Sequence, residues 1–291
     1  MDRKSFLQSL LLLPLTGAAM NLQEFQKSSS TFKTTEKMPV LFYGHGSPMN
    51  AIEQNTFTRG WQESIKNLPL PAAILCISAH WETRGTFVTA MKQPRTIHDF
   101  GGCPAALFAA QYPAPGSPEL AMETKKIVQQ TEIGLDDGWG LDHGCWSVVK
   151  HLYPEANIPI IQLSIDRTQS ASYHYELAKE LSSLRKKGIL ILGSGNMVHN
   201  LGKVDWSKQD SGFDWAEEAR NEMKNLINKR EHRKLIDYKS LGSAFQLSIP
   251  TPEHYLPLLY TLGLQGKDEK INFFNDKSVM GSIAMTSLRI G

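Results

Sequence analysis

From Met38 onward, short apolar runs alternate along the chain with amphipathic stretches. Pro39–Tyr43 (PVLFY), Ala72–Ile77 (AAILCI), Ile158–Ile165 (IPIIQLSI) and Gly188–Leu192 (GILIL) are nearly continuous in apolar residues and bounded by Pro or Gly. Such runs predict buried strands. Helices are predicted between them. Ser117-Pro118-Glu119 supplies an N-cap, a first-turn proline and an early acid for a helix ending near Gln130. Trp146–Tyr153 stops before Pro154, and Ser170–Lys187 sets Tyr173, Leu177, Leu181 and Leu184 at helical spacing before Gly188. Two more helices are predicted within Asp214–Arg230 and His254–Leu262. Strands separated by helices predict one α/β domain over residues 38–291, with a central, mostly parallel sheet flanked by helices.

The first 37 residues follow another pattern. Arg3 and Lys4 precede an apolar stretch, Phe6–Leu15, and Thr16-Gly-Ala-Ala19 then offers the small residues of a cleavage site. The order matches a secretory signal peptide, followed by a polar spacer to residue 37. Export, to the periplasm, is the expectation; a cytoplasmic chain with a surface-packed N-terminal helix is the alternative. The stretch is too short for a stable membrane anchor. Residues 1–37 carry five basic and three acidic side chains of the total 31 and 29, leaving 26 of each in the domain. A neutral domain gives no footprint for nucleic acid. Three widely spaced cysteines (76, 103 and 145) exclude a disulfide framework and a CxxC zinc site. A Cys103–Cys145 bridge stays open, and Cys76 falls in a core strand.

The polar residues worth following are histidines. Three of the four strands run into one: Gly44-His45-Gly46, Ser78-Ala79-His80-Trp81, and Gly193-Ser-Gly-Asn-Met-Val-His199. Parallel strands bring their carboxyl ends to one crevice, where α/β proteins bind ligands. His45, His80 and His199 are therefore expected together, as a metal or catalytic site. His143, in a glycine turn, and His254, in Pro252-Glu-His, each open a predicted helix. His98 lies in a loop within reach of a substrate, while His151, His174 and His232 fall on amphipathic stretches and are expected in solvent. Neutral imidazoles without thiolates suit Zn, Fe, Ni or Cu. No HExxH pair, G-x-S-x-G elbow or phosphate-cradling glycine loop is present.

GHGSPMN (44–50), SAHW (78–81), TIHDFGG (96–102), YPAPGSP (112–118), DHG (142–144), QLSID (162–166), GSGNMVHN (193–200) and PTPEHYLPLLY (250–260) occur in this order. Together they resemble the class III extradiol ring-cleavage dioxygenases, in the 4,5-DOPA extradiol dioxygenase branch. The resemblance covers Met38 to Gly291. It implies a mononuclear metal site with His45, His80 and His254 as ligands. His199 stands where the wider class has an acid/base histidine and where zinc-containing members use a fourth ligand. His143 matches a substrate-facing histidine. The wider class binds its metal through two histidines and a glutamate, so His254 takes the acid's place, with Glu253 as its rival.

The leading reading is therefore a dioxygenase that opens a catechol with O2, using one divalent ion per chain. Fe(II) is expected for turnover and Zn(II) in the protein as purified. His199 is the expected acid/base group, with His143 orienting the substrate. The alternative is an exported zinc-binding protein of the same fold, non-catalytic or weakly hydrolytic, held by His45, His80, His199 and His254.

Overall fold

The computed structural model describes residues 32–291. The leader expected at residues 1–19 lies outside them. Residues 32–37, read from sequence as spacer, are tied to the domain. Thr35 N–H donates to Lys186 O at 2.7 Å, and Lys37 pairs with Glu269 at 3.0 Å.

The four apolar runs form the centre of the sheet. They are β1 (Val40–Gly44), β2 (Ala73–Thr83), β5 (Ile160–Asp166) and β6 (Ile189–Gly195). Shorter strands complete it: β3 (Thr86–Thr89), β4 (Ile133–Asp136), β7 (Ile271–Phe274) and β10 (Ser287–Ile290). The order is β4-β3-β5-β2-β6-β1-β10-β7. The β5-β2-β6-β1 pairings are parallel, whereas β3 on β5 and β10 on β1 are antiparallel. A separate ribbon pairs β8 (Ser278–Val279) with β9 (Ile283–Ala284).

Helices cover both faces, which is why the central strands are apolar in nearly every position. Within β1, Val40 and Phe42 join the core on one face, and Leu41 and Tyr43 the core on the other. The second face is covered by α1 (Thr56–Ile65) and α3 (His143–Leu152), through Trp61 and Trp146. The first is covered by α2 (Pro118–Ile127), α4 (Ala171–Glu180), α5 (Asp214–Asn228) and α6 (Leu256–Gly263). Ser117 caps α2 as its sequence predicts, accepting from Leu120 N–H at 3.1 Å. The predicted helix after Ser170 is α-helical only to Glu180 and tightens to 3-10 over Leu181–Lys187. Among the described residues no helix is long and apolar enough to cross a membrane. All three cysteines are free, so the Cys103–Cys145 bridge does not form.

Two histidines expected in solvent are buried instead. His151 Nε2 bonds Asn50 O at 2.6 Å. His174 is fully buried, with Nδ1 3.0 Å from Tyr260 Oη and Nε2 3.2 Å from Asp166 O. Both ring nitrogens of His174 are thus satisfied in the neutral form, Nε2–H donating and Nδ1 accepting. Burial pushes its pKa from 6.5 down to about 4. In the unfolded chain the ring takes a proton at the higher value, so its stabilising contribution is present above pH 6.5 and lost as pH falls toward 4. The loss amounts to about 3 kcal/mol. Urea denaturation of wild type and His174→Gln at pH 7.5 and pH 4.5 checks this: the pH-dependent drop should shrink in the variant.

Candidate active site

β6 lies between β1 and β2, so their carboxyl ends are neighbours. His45 follows Gly44 directly, and its N–H donates to Gly195 O of β6 at 3.1 Å. His80, expected just after the strand that ends at Ile77, lies on β2 itself, which continues to Thr83 through a register shift against β5 between Ile77 and Glu82. Irregularities of this kind re-aim a side chain. Just before α6, His254 is held against β6 by Asn196 N–H, which donates to His254 O at 2.8 Å. The close approach requires glycine at 195, where a Cβ would sit 2.2 Å from His254 O. Gly195→Ala should therefore cost about 1–3 kcal/mol, as overpacking of a tight contact does. It should also weaken metal binding by displacing His254. Thermal denaturation and Zn(II) titration check both effects.

The fifth histidine arrives on α3. Asp142 caps this helix, accepting from Cys145 N–H at 3.0 Å, from Ser78 Oγ of β2 at 2.6 Å and from Gln162 Nε2 of β5 at 2.6 Å. The buried carboxylate thus fastens the helix start to two strands and sets His143 beside His80. Their ring centroids are 3.9 Å apart. Gly144 permits this as well, since a Cβ there would sit 2.8 Å from His80 Cδ2.

His45, His80 and His254 each offer a ring nitrogen within 4.8 Å of the other two. His45 Nε2 and His80 Nε2 are 3.2 Å apart. The surroundings assign the tautomers. Ser194 Oγ spends its one hydrogen on Gly144 O at 2.5 Å, so at 3.0 Å it accepts from His45 Nδ1–H. His254 Nδ1 lies 3.0 Å from Glu253 Oε1, and His80 Nδ1 lies 3.3 Å from Asp99 Oδ2. All three rings thus carry hydrogen on Nδ1 and leave Nε2 lone pairs converging. Burial first, then the neighbouring imidazoles, push His45 and His80 well below the usual pKa, and burial lowers His254. Neutral, outwardly bonded and convergent imidazoles are what a divalent metal requires.

Glu253 does not join His45 and His80. Burial opposes its ionisation, but the bond from His254 and others hold it at about 2, and it serves as the outer partner of His254. His199 stacks on His254, with centroids 3.5 Å apart and planes 10° apart. Its donor atoms group with Glu253 and His254 rather than with His45 and His80. Burial, then the nearby His254, push His199 down to about 3, so the ring is uncharged at neutral pH.

The five histidines line one cavity of about 560 Å³. Phe100, Leu201, Val204, Met280 and Ile283 add an apolar part to the lining, together with Trp206, which is 73% exposed. His98 is not part of the lining: it bonds Ala110 O at 2.8 Å and packs on Phe100 and Trp146. Instead of touching substrate, it braces the loop that carries Asp99 and Phe100. Sequence reasoning missed Asp99 and Ser194. Asp99 sits inside the TIHDFGG motif, and Ser194 inside GSGNMVHN, so attention to each histidine's neighbours was the available signal.

A mostly parallel α/β sheet with three convergent imidazoles at its carboxyl edge defines a metal-binding enzyme fold. Residues 31–290 match the family described as the catalytic LigB subunit of aromatic ring-opening dioxygenase. The 4,5-DOPA dioxygenase extradiol of Escherichia coli (strain K12) is 46% identical over 262 residues, covering 89% of this chain and 96% of that protein. The 4,5-DOPA dioxygenase extradiol of Beta vulgaris is 35% identical over 261 residues, covering 85% and 96%. A crystal structure of an uncharacterized protein from Escherichia coli K12 aligns with a TM-score of 0.76 at 43% identity, covering 88% of this chain and all of that one. The chain belongs to the LigB family of aromatic ring-opening dioxygenases. Membership does not favour the alternative of a zinc-binding domain without catalysis.

Proposed function

We propose that the chain is a metal-dependent extradiol dioxygenase that opens a catechol ring beside its diol and incorporates both atoms of O2. One observation carries this reading: three neutral imidazoles converge in a cavity whose lining is otherwise largely apolar. Relatives named for 4,5-DOPA suggest a 3,4-dihydroxyphenyl substrate. His45, His80 and His254 would hold the metal, Fe(II) for ring opening. Zn(II) suits the same nitrogens and stands above Fe(II) in the order of affinities, so it is expected in protein as purified. When bound, the metal supplies the hold on the diol and the activation of O2.

The chain's own side chains do the rest. Phe100, Met280 and Ile283 offer apolar contacts for the ring and keep water from it. His199, uncharged and beside the ligand His254, is placed to accept a hydroxyl proton and return it to the product, a role that requires bound substrate to raise its pKa from about 3. His143, with Nδ1 turned to Asp99, keeps Nε2 for the substrate. Protein reconstituted with Fe(II) without air, then mixed with air and L-DOPA or a simple catechol, should form a yellow ring-opened product. Iron-loaded protein that consumes no O2 with any catechol contradicts the reading.

Export belongs to the same proposal and rests on the pattern of residues 1–19 alone. Cell fractionation with N-terminal sequencing tests it. A chain shortened to near Met20 outside the cytoplasm supports export, and uncleaved cytosolic protein removes it.

A further inference from the structure

We propose that Asp99 is a positioning residue shared between the metal-binding and the substrate-facing histidines, a role that rests on the ring-opening reading above. Its Oδ2 lies 3.3 Å from His80 Nδ1 and 3.0 Å from His143 Nδ1. Its Oδ1 accepts the backbone N–H of His143 at 2.9 Å. The two rings it faces lean together at 50°.

A neutral imidazole carries one ring hydrogen, and the acceptor beside it decides which nitrogen holds that hydrogen. A carboxylate facing both Nδ1 atoms therefore fixes both rings in the same tautomer. For His80 the freed lone pair is on Nε2, the atom that meets His45 Nε2 at 3.2 Å. For His143 it is the Nε2 left for substrate in the cavity. A carboxylate oxygen has two lone pairs and can face both rings, here at 3.3 Å and 3.0 Å, although His143 Nδ1 has no aligned hydrogen-bond partner. The carboxylate stands between the rings and belongs to neither alone. Any shift of Asp99 toward one ring loosens the other, so ligand strength at His80 and orientation of His143 are coupled through it.

Asp99→Asn keeps the size of the side chain but replaces one acceptor with a donor. Zn(II) titration of the metal-free variant should show affinity weakened about 10–100-fold, as for loss of an outer partner of a ligating histidine. Nitrogen-15 spectra of the metal-free protein should show His80 and His143 as Nδ1–H tautomers in wild type and as mixtures in the variant. With saturating Fe(II), kcat for catechol should fall while KM stays nearly constant. That loss should disappear in a His143→Gln background, because the carboxylate acts through that ring. Asp99→Glu, which restores the charge one methylene further out, should recover part of the Zn(II) affinity.

Wild-type Zn(II) affinity and unchanged tautomers in Asp99→Asn would overturn the proposal, as would a kcat loss that adds in full to His143→Gln. Should Asp99→Asn fail to fold, Asp99→Glu carries the test: it must show weaker Zn(II) binding and altered tautomers, and wild-type values of both overturn the proposal. Metal affinity and tautomers are read without substrate, so their failure is separate from failure of the ring-opening reading, which shows as an inactive wild type.

Discussion

His45→Ala and His80→Ala each yield folded protein that has lost metal and ring opening together. Each substitution removes one of three convergent Nε2 atoms, and the two ligands left cannot hold a divalent ion in a fixed geometry. The loss of affinity should exceed the ~10–100-fold typical of an outer-partner substitution. Folding should survive, because the rings are neutral and stand at the carboxyl edge of the sheet, outside the two apolar cores. The largest local cost is at Ser194, whose hydroxyl accepts from His45 but keeps Gly144 O as its own acceptor. A lost hydrogen bond of this kind is worth about 1 kcal/mol. Zn(II) titration, circular dichroism and O2 uptake on the same samples check the result. Either variant binding metal as wild type does removes that histidine from the ligand set.

His199→Ala should separate from these variants by keeping much of its metal affinity while losing roughly 10²–10⁴ in turnover, the usual contribution of a positioned acid/base group. Its ring stacks on His254 and groups with Glu253, so its removal loosens a ligand without deleting one. A modest fall in affinity is therefore part of the expectation. The test is Fe(II) affinity measured beside kcat at saturating iron. Metal loss as complete as in His45→Ala would make His199 a primary ligand and give a four-histidine set. The acid/base role would then pass to His143, whose Nδ1 faces Asp99 at 3.0 Å.

The centre of the fold was legible in the sequence because β1, β2, β5 and β6 are buried on both faces, and such strands announce themselves as apolar runs. The peripheral strands gave no such signal. Thr86–Thr89 and Ser287–Ile290 have four residues each and polar positions, too short for a period to show. The site was legible as histidines because strand ends repeat the same placement. How each ring is held was not: Glu253, next to His254 in sequence, reads as a rival ligand until its bond to His254 is seen, and Ser194 for His45 and Asp99 for His80 and His143 come from distant segments. The same reason misplaced His151 and His174. A histidine in an amphipathic stretch looks solvated until a remote carbonyl such as Asn50 O or Asp166 O is seen to satisfy it.

As a ring-opening dioxygenase, this chain inserts both atoms of O2 while breaking a carbon–carbon bond beside a catechol diol. The direct test is turnover of a catechol by the iron-loaded protein under 18O2, with mass spectrometry of the ring-opened product quenched before carbonyl exchange. One labelled oxygen is expected at each of the two carbons that were joined. A ring-opened product with one label or none, or oxidation to a quinone with the ring intact, would contradict it.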